Sequence, residues 1–209
     1  MTTKKKAYHH GNLRPALIKA ALALIAKKGP RGLTLREAAR RAGVTHAAPY
    51  RHFADKAALL DAVAQEGFRL LEEMMRARRD AVSEGEALVR LLEIGQAYVA
   101  FAIDNPSYFQ VMFGPDPYEG PGESLALKHA NETFAILVNA VTECQKGGVI
   151  ATDWSARDVA LTAWSAIHGF AMLQISRRLE LGGFDTSKPA GMVAAIQAMI
   201  GRGIGAVAR

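Results

Sequence analysis

With 209 residues, half of them hydrophobic, the chain can build a proper core as one domain or two modest ones, which makes it a soluble globular protein. Its net charge of +6 is split: residues 1–60 hold 13 Lys and Arg against Glu37 and Asp55, net +11, and the remainder is net −5, so a polyanion-binding surface is expected at the N-terminal end only. The single Cys144 excludes an intramolecular disulfide and fits a reducing cytosol, and no order of n-region, h-region and cleavage site marks a secretion signal.

Residues 1–11 carry the run Lys4, Lys5, Lys6 and read as an arm, either a solvated tail or one that lies against phosphates or in a minor groove. From Asn12 as N-cap, Leu13, Leu17, Ala20, Ala21, Leu24 and Ile25 repeat at helical spacing until Gly29-Pro30 ends the run. Thr34 and Glu37, three apart, form a capping box before Leu35, Ala38, Ala39 and Ala42, and Gly43 stops that helix. A second start follows at Thr45, and Asp55 caps the helix that begins with Lys56. The segment between, roughly His46 to His52, is too short for a core stripe and carries Tyr, Arg and two His outward. Two short helices joined at a glycine in this way read as a helix-turn-helix, whose presented helix suits the DNA major groove.

The pattern after Lys56 continues for about seven turns and joins the basic head to the acidic body. Residues 83–86 break it. A further helix spans Ala87 to about Ile103, with Asn105 as cap and Pro106 opening a short one. Gly114 to Glu123, with three Pro and three Gly, reads as a loop. Helices of about 24 and 25 residues follow, split by Gly147-Gly148, the second opened by a Ser155/Asp158 capping box and ended by Gly182-Gly183. The last begins near Pro189 and places Met192, Val193, Ile196, Met199, Ile200 and Ile204 on one face. Val159 to Ser176 has no charge but is too polar for a membrane span, owing to Thr162, Ser165, His168, Gln174 and Ser176, and reads as a helix buried on all sides. With no period-2 alternation, the fold is expected to be all-α with about nine helices: a three-helix head, residues 1–55, and a body from residue 56 to 209.

The head resembles the TetR family of bacterial transcription factors. The resemblance covers residues 8–68 and rests on AALALIAKKG, TLREAARRAGVT and above all Tyr50-Arg51-His52-Phe53-Ala54-Asp55-Lys56-Ala57-Ala58-Leu59, which fits the signature Y-x-[HY]-F-x-[SND]-K-x-x-L. The body is similar to the subgroup named for Trp, His and Gly, here Trp164, His168 and Gly169, and PSYFQVMF agrees with it. The resemblance implies a cytoplasmic homodimer paired through the last two helices, with two heads on a near-palindromic operator in double-stranded DNA. It also implies a small-molecule effector in the body that moves the long fourth helix and spreads the heads.

Carried over, Thr34, Tyr50 and Lys56 would hold phosphates, and Thr45, His46, Ala47 and Ala48 would face base edges. Arg36 and Arg51 are further candidates for either contact, and His52 belongs to the same presented segment. Phe53 is expected in the core and Arg40 and Arg41 in solvent. The chain departs from the family at Pro49, where an aliphatic residue is usual. Proline lacks the amide proton and disfavours helical geometry at Ala48, so the recognition helix should be short or start late.

In the body, Trp164, His168 and Met172 recur at i, i+4, i+8. They read either as packed core or, with Tyr98, Phe101, Phe109, Met112, Phe113 and Phe134, as the lining of an apolar pocket for a hydrophobic or aromatic effector, with His168 orienting it. Enzyme chemistry finds little support. Cys144 has no base or oxyanion signature, His9-His10, His129 and His168 lack metal-ligand spacing, and Gly201-x-Gly203-x-Gly205 follows a helix rather than a strand. No cofactor, metal or membrane partner is expected. The expected function is a ligand-responsive dimeric repressor. A regulator without effector, or an activator, and a small-molecule enzyme or carrier are the alternatives.

Overall fold

The structure, a computed structural model, describes residues 13–114 and 124–203. The N-terminal arm, the Asn12 cap, all but the first residue of the Gly114 to Glu123 loop, and Ile204 and Gly205 lie outside the described residues. Among the described residues the fold is all-α, with nine α-helices, two 3-10 turns and no strand.

Helix α1 (Leu13–Lys28) buries Leu13, Leu17, Ala20, Ala21 and Ile25, with Leu24 half-buried. Gly29, at φ +72°, and a 3-10 turn from Pro30 then redirect the chain. In α2 (Leu35–Arg41) the Thr34 hydroxyl accepts from the Glu37 amide at 3.2 Å and donates to Glu37 Oε2 at 2.9 Å. The capping box therefore closes side chain to side chain. Lys28 Nζ, 2.5 Å from the same carboxylate, ties α1 to α2. Gly43 stops α2: the Val44 amide reaches back to Ala39 O at 3.0 Å and that of Gly43 to Arg40 O at 3.2 Å. This closure needs the positive φ of Gly43, +72°.

The α-helix expected from about His46 to His52 does not form. Residues 45–47 make a turn, and only Ala48–Arg51 coil further, as one 3-10 turn. Pro49 offers no amide to an α-ladder, and its carbonyl instead accepts from His52 and Phe53, both at 2.9 Å. Thr45 is not a side-chain cap; it accepts the Ala48 amide through its carbonyl at 3.1 Å. Phe53 is buried as expected, with the Arg14 guanidinium of α1 5.6 Å from its ring centroid.

Helix α3 (Lys56–Asp80), the long helix expected as the fourth, opens with Asp55 accepting from the Ala58 amide at 2.8 Å and runs unbroken for 25 residues. Its outer face carries Arg69 against Glu66 and Glu73, and Arg76 against Glu72. It packs against α4 (Ala87–Asp104), α5 (Pro106–Met112) and α6 (Leu125–Lys146). Pro106 opens α5 as expected, but Asn105 contributes its carbonyl and no side-chain cap. One continuous cluster of buried side chains runs from Leu13 through Phe53 and Phe68 to Val193, so the head and the body share a core.

Ser155 caps α7 (Ala156–Ile175) through the predicted box, its hydroxyl accepting from the Asp158 amide at 3.1 Å and donating to Asp158 Oδ2 at 2.6 Å. Two expectations fail here. Arg177, at φ +58°, breaks the long helix, so a separate turn α8 (Arg178–Leu181) precedes Gly182-Gly183. Nor is α7 buried all round: Leu161, Thr162, Ser165, Met172 and Leu173 face outward. Its hydroxyls are satisfied along the helix, Thr162 to Asp158 O and Ser165 to Leu161 O, which lets that face carry polar groups at little cost. Helix α9 (Pro189–Gly203) lies on α4 and α7, burying Val193 while Met199 is 68% exposed. No helix of the described residues is long and apolar enough to cross a membrane.

Candidate functional site

Two regions gather the expected residues. At the tip of the head, Arg36 on α2, Thr45, His46 and Ala47 in the turn, Tyr50 and Arg51 on the 3-10 turn, and His52 just after it are exposed, and Ala48 is half-buried. No hydrogen bond or ion pair with another described residue engages the side chains of Arg36, Thr45, His46, Tyr50 or Arg51, so their polar groups face solvent. Pro49 and Phe53 are buried beneath them and fix the turn to the head.

Thr34 and Lys56 differ, since each already has a protein partner. The Thr34 hydroxyl belongs to the capping box, and Glu37 is held below the usual carboxylate range by its bonds to Lys28 and Thr34. Lys56 Nζ donates to Arg31 O at 3.0 Å. That bond pins the loop before α2 to the start of α3 and leaves two ammonium protons for a phosphate, at the positive end of a helix.

The second region is a cavity of about 480 Å³ in the body, within the size range of small-ligand sites. Phe68 and Met75 of α3 form one wall and Leu88, Leu91 and Leu92 of α4 another. Helices α6 and α7 contribute Phe134 and Trp164, and Gln197 and Ile200 of α9 close one side. Behind the aromatic wall lies a buried polar contact. Tyr98 Oη accepts from Trp164 Nε1 at 3.1 Å and pairs with His168 Nδ1 at 2.8 Å. Which of the two donates in the Tyr98–His168 pair follows the tautomer of the imidazole. Burial drives the Tyr98 pKa up and that of His168 down, so both stay neutral around pH 7.

Of the residues expected around an effector, Tyr98, Met112, Phe113, Phe134 and Trp164 line this cavity. Phe101 and Phe109 are fully buried in the core and do not reach it. His168 stands one layer back, 4.8 Å from Phe113 between ring centroids, and acts on the cavity only through Tyr98 and its ring neighbours. Met172 is 37% exposed and lies off the cavity, because eight residues of helix overshoot two turns by about 80°. Sequence reasoning missed Arg157, Asn131 and Gln197, which also line it. The Ser155/Asp158 box could have pointed to Arg157, since it fixes the first turn of α7 that carries it.

One grouping with metal-ligand chemistry occurs among the described residues: ligand atoms of Glu72, His129 and Glu132 lie within 4.8 Å of one another. The Glu72 carboxylate there already accepts two bonds from Arg76, which supplies the positive charge a cation would bring. Cys144 is buried and its thiol is pushed up to about 11 by burial, the state of an inert packing residue.

Two family descriptions match the chain: "Bacterial regulatory proteins, tetR family" over residues 17–63 and "Tetracyclin repressor-like, C-terminal domain" over residues 91–199. Among solved structures, a protein of unknown function from Rhodococcus sp. RHA1 is 33% identical, with 96% of this chain and 99% of that one covered at a TM-score of 0.79. The fatty acid degradation regulator FadR from Bacillus halodurans shares the fold at 15% identity, covering 98% and 100% of the two chains, TM-score 0.73. AibR, solved with isovaleryl coenzyme A and operator DNA, shares it at 16% identity, 93% and 100% coverage, TM-score 0.68.

Proposed function

We propose a function that proceeds from one premise: the chain belongs to the tetR family of bacterial regulatory proteins, and is a DNA-binding regulator of that type. Beyond this, we read it as a cytoplasmic repressor that leaves a near-palindromic operator when a small hydrophobic or aromatic molecule enters the body. The observation that carries the reading is the double duty of α3, whose first residue, Lys56, stands at the basic head and whose Phe68 and Met75 wall the cavity. A ligand seated there touches the helix that positions the head.

In this reading Thr34, Tyr50 and Lys56 clamp phosphates, Thr45 to Ala48 meet base edges, and Arg36, Arg51 and His52 flank them. Tyr98, Met112, Phe113, Phe134 and Trp164 meet the effector. AibR offers a precedent for a shared fold seen in complex with both a small molecule, isovaleryl coenzyme A, and operator DNA. Pairing of two copies through α7 and α9 is supported by the apolar side chains these helices leave outside and off the cavity, Met172 and Leu173 on one and Met199 on the other. Membership in the Trp-His-Gly subgroup is supported by the way Trp164 and His168 converge on one tyrosine hydroxyl. The division at Lys56 into residues 1–55 and 56–209 is then one of function, since the core crosses it.

The test is a mobility shift on DNA flanking the protein's own gene, repeated with candidate effectors and with Trp164→Ala. The variant should bind operator nearly as wild type does and lose its response to effector. Failure of the wild type to bind any such DNA at moderate salt would end the reading; loss of fold or dimer in the variant would assign Trp164 to the core instead.

A further inference from the structure

Resting on the effector reading above, we propose that the cavity is built for an anionic amphiphile: an apolar body with one carboxylate or similar acidic head, the head held by Arg157. Among the described residues lining the cavity, Arg157 alone carries a charge. The guanidinium carbon stands 5.7 Å from the ring centroid of Phe134, which is itself part of the wall, so the positive charge lies beside the aromatic surface.

That charge has no protein counterion among the described residues. The adjacent carboxylate in sequence, Asp158, makes no ion pair with Arg157 and instead receives the Ser155 hydroxyl. Of the other side-chain donors around the cavity, Asn131 alone has no partner among the described residues, and it is uncharged. The Tyr98 hydroxyl is paired with His168 Nδ1 and Trp164 Nε1, the Thr133 hydroxyl donates to His129 O at 2.8 Å, and Gln197 Nε2 donates to Leu92 O at 2.8 Å. Arg157 is left with free donors, and it is exposed, as are Leu127, Asn131 and Leu161 beside the cavity. These four mark its mouth.

The placement sets the preference. A guanidinium at a mouth is hydrated in the empty protein and costs little, whereas the same group deep in the apolar interior would be heavily penalised. An acidic head arriving there makes charge-assisted, planar hydrogen bonds while the tail fills the apolar interior. A neutral head gains little from Arg157, and a cationic one is repelled.

The test uses three probes with one tail and different heads, decanoate, decan-1-ol and decylamine, titrated calorimetrically into the full-length protein. Decanoate should bind roughly ten- to a hundredfold more tightly than decan-1-ol, with decylamine weakest. Arg157→Met should remove that advantage and leave decan-1-ol affinity unchanged within about twofold; Arg157→Lys should recover part of it. Arg157 is exposed, and an unchanged melting temperature of the Met variant verifies its fold. Equal binding of decanoate and decan-1-ol by the wild type, equal losses for both on Arg157→Met, or binding of none of the three would overturn the head-group assignment. Decanoate binding that depends on Arg157 but leaves operator affinity untouched would keep the site and end the effector reading.

Discussion

Replacing Lys56 with Ala separates two roles that the structure gives one side chain. Its ammonium donates to Arg31 O at 3.0 Å inside the protein and presents its remaining protons at the start of α3. Loss of the internal bond, on a half-buried group, should cost about 0.5–1.5 kcal/mol of stability, or roughly 1–6 °C in melting temperature for a chain of this size. Loss of a phosphate contact shows elsewhere, in the dependence of operator affinity on salt. Each contact contributes about 0.9 to the slope of log affinity against log salt. Two heads should therefore lower its magnitude by about 1.8 and reduce the loss between 50 and 200 mM salt by roughly twelvefold. Fluorescence anisotropy with operator and scrambled DNA over that range reads both slope and selectivity, and Lys56→Arg should keep the slope. A Lys56→Ala variant with weaker binding but an unaltered slope would mean that the residue acts only by pinning the Arg31 loop. A loss confined to the operator would mean that it reads bases.

The remaining predictions concern α3 and the cavity wall. A Cβ at Gly67 would stand 2.5 Å from Met112 Sδ and 3.2 Å from Tyr108 Cδ1, so Gly67→Ala overpacks the α3–α5 contact by about 1–3 kcal/mol. Against this, alanine gains about 1 kcal/mol in helix propensity. The melting temperature should fall by a few degrees, and a rise would show that Met112 yields freely. For His168, burial lowers the folded pKa, so the unfolded chain binds the proton more readily. Stability should therefore drop as pH falls through the usual histidine value of about 6.5 and level off below the folded value. Denaturant melts of wild type and His168→Asn across this window should differ in slope, the variant lacking this part of the dependence; parallel curves would refute it.

What was legible before the structure was mostly local. Thr34/Glu37, Asp55 and Ser155/Asp158 each set a helix start within four residues, and all three are found there. Gly43 ended α2 because a left-handed residue is needed where two backbone bonds reverse. Pro49 correctly warned of a short recognition element, but its outcome, a single 3-10 turn, depends on how Phe53 anchors the end of that turn against α1. The break at Arg177 had no signal, because neither Ser176 nor Arg177 is a helix breaker. The cavity was half legible. Composition picked out five lining residues, four of them aromatic, but a wall built from α3, α4, α5, α6, α7 and α9 follows no single period. Met172 was misplaced by treating eight residues as two whole turns.

The shared core constrains how the proposed release can work. Helix α1 packs against α2, α3 and α5, and buried side chains run without interruption from Leu17 past Phe53 into α3. Lys56 adds its bond to the Arg31 carbonyl. The head is therefore fastened to the first turns of α3 and cannot pivot at Asp55 without opening that core. Salt bridges at i+3 and i+4 from Arg69 and Arg76 support α3 along its exposed side, though each contributes only about 0.3–0.5 kcal/mol. Phe68 is twelve residues from Lys56, about 18 Å along the helix. A ligand that displaces Phe68 and Met75 would thus carry head and helix together as one lever. The give must come from the faces that α3 slides on, chiefly α4, α5 and α6, and the tight Gly67 contact with Met112 is where such sliding would be felt first. On this account Gly67→Ala should alter effector response as well as stability. A variant that melts lower yet releases the operator at the wild-type effector concentration would place the movable contact elsewhere.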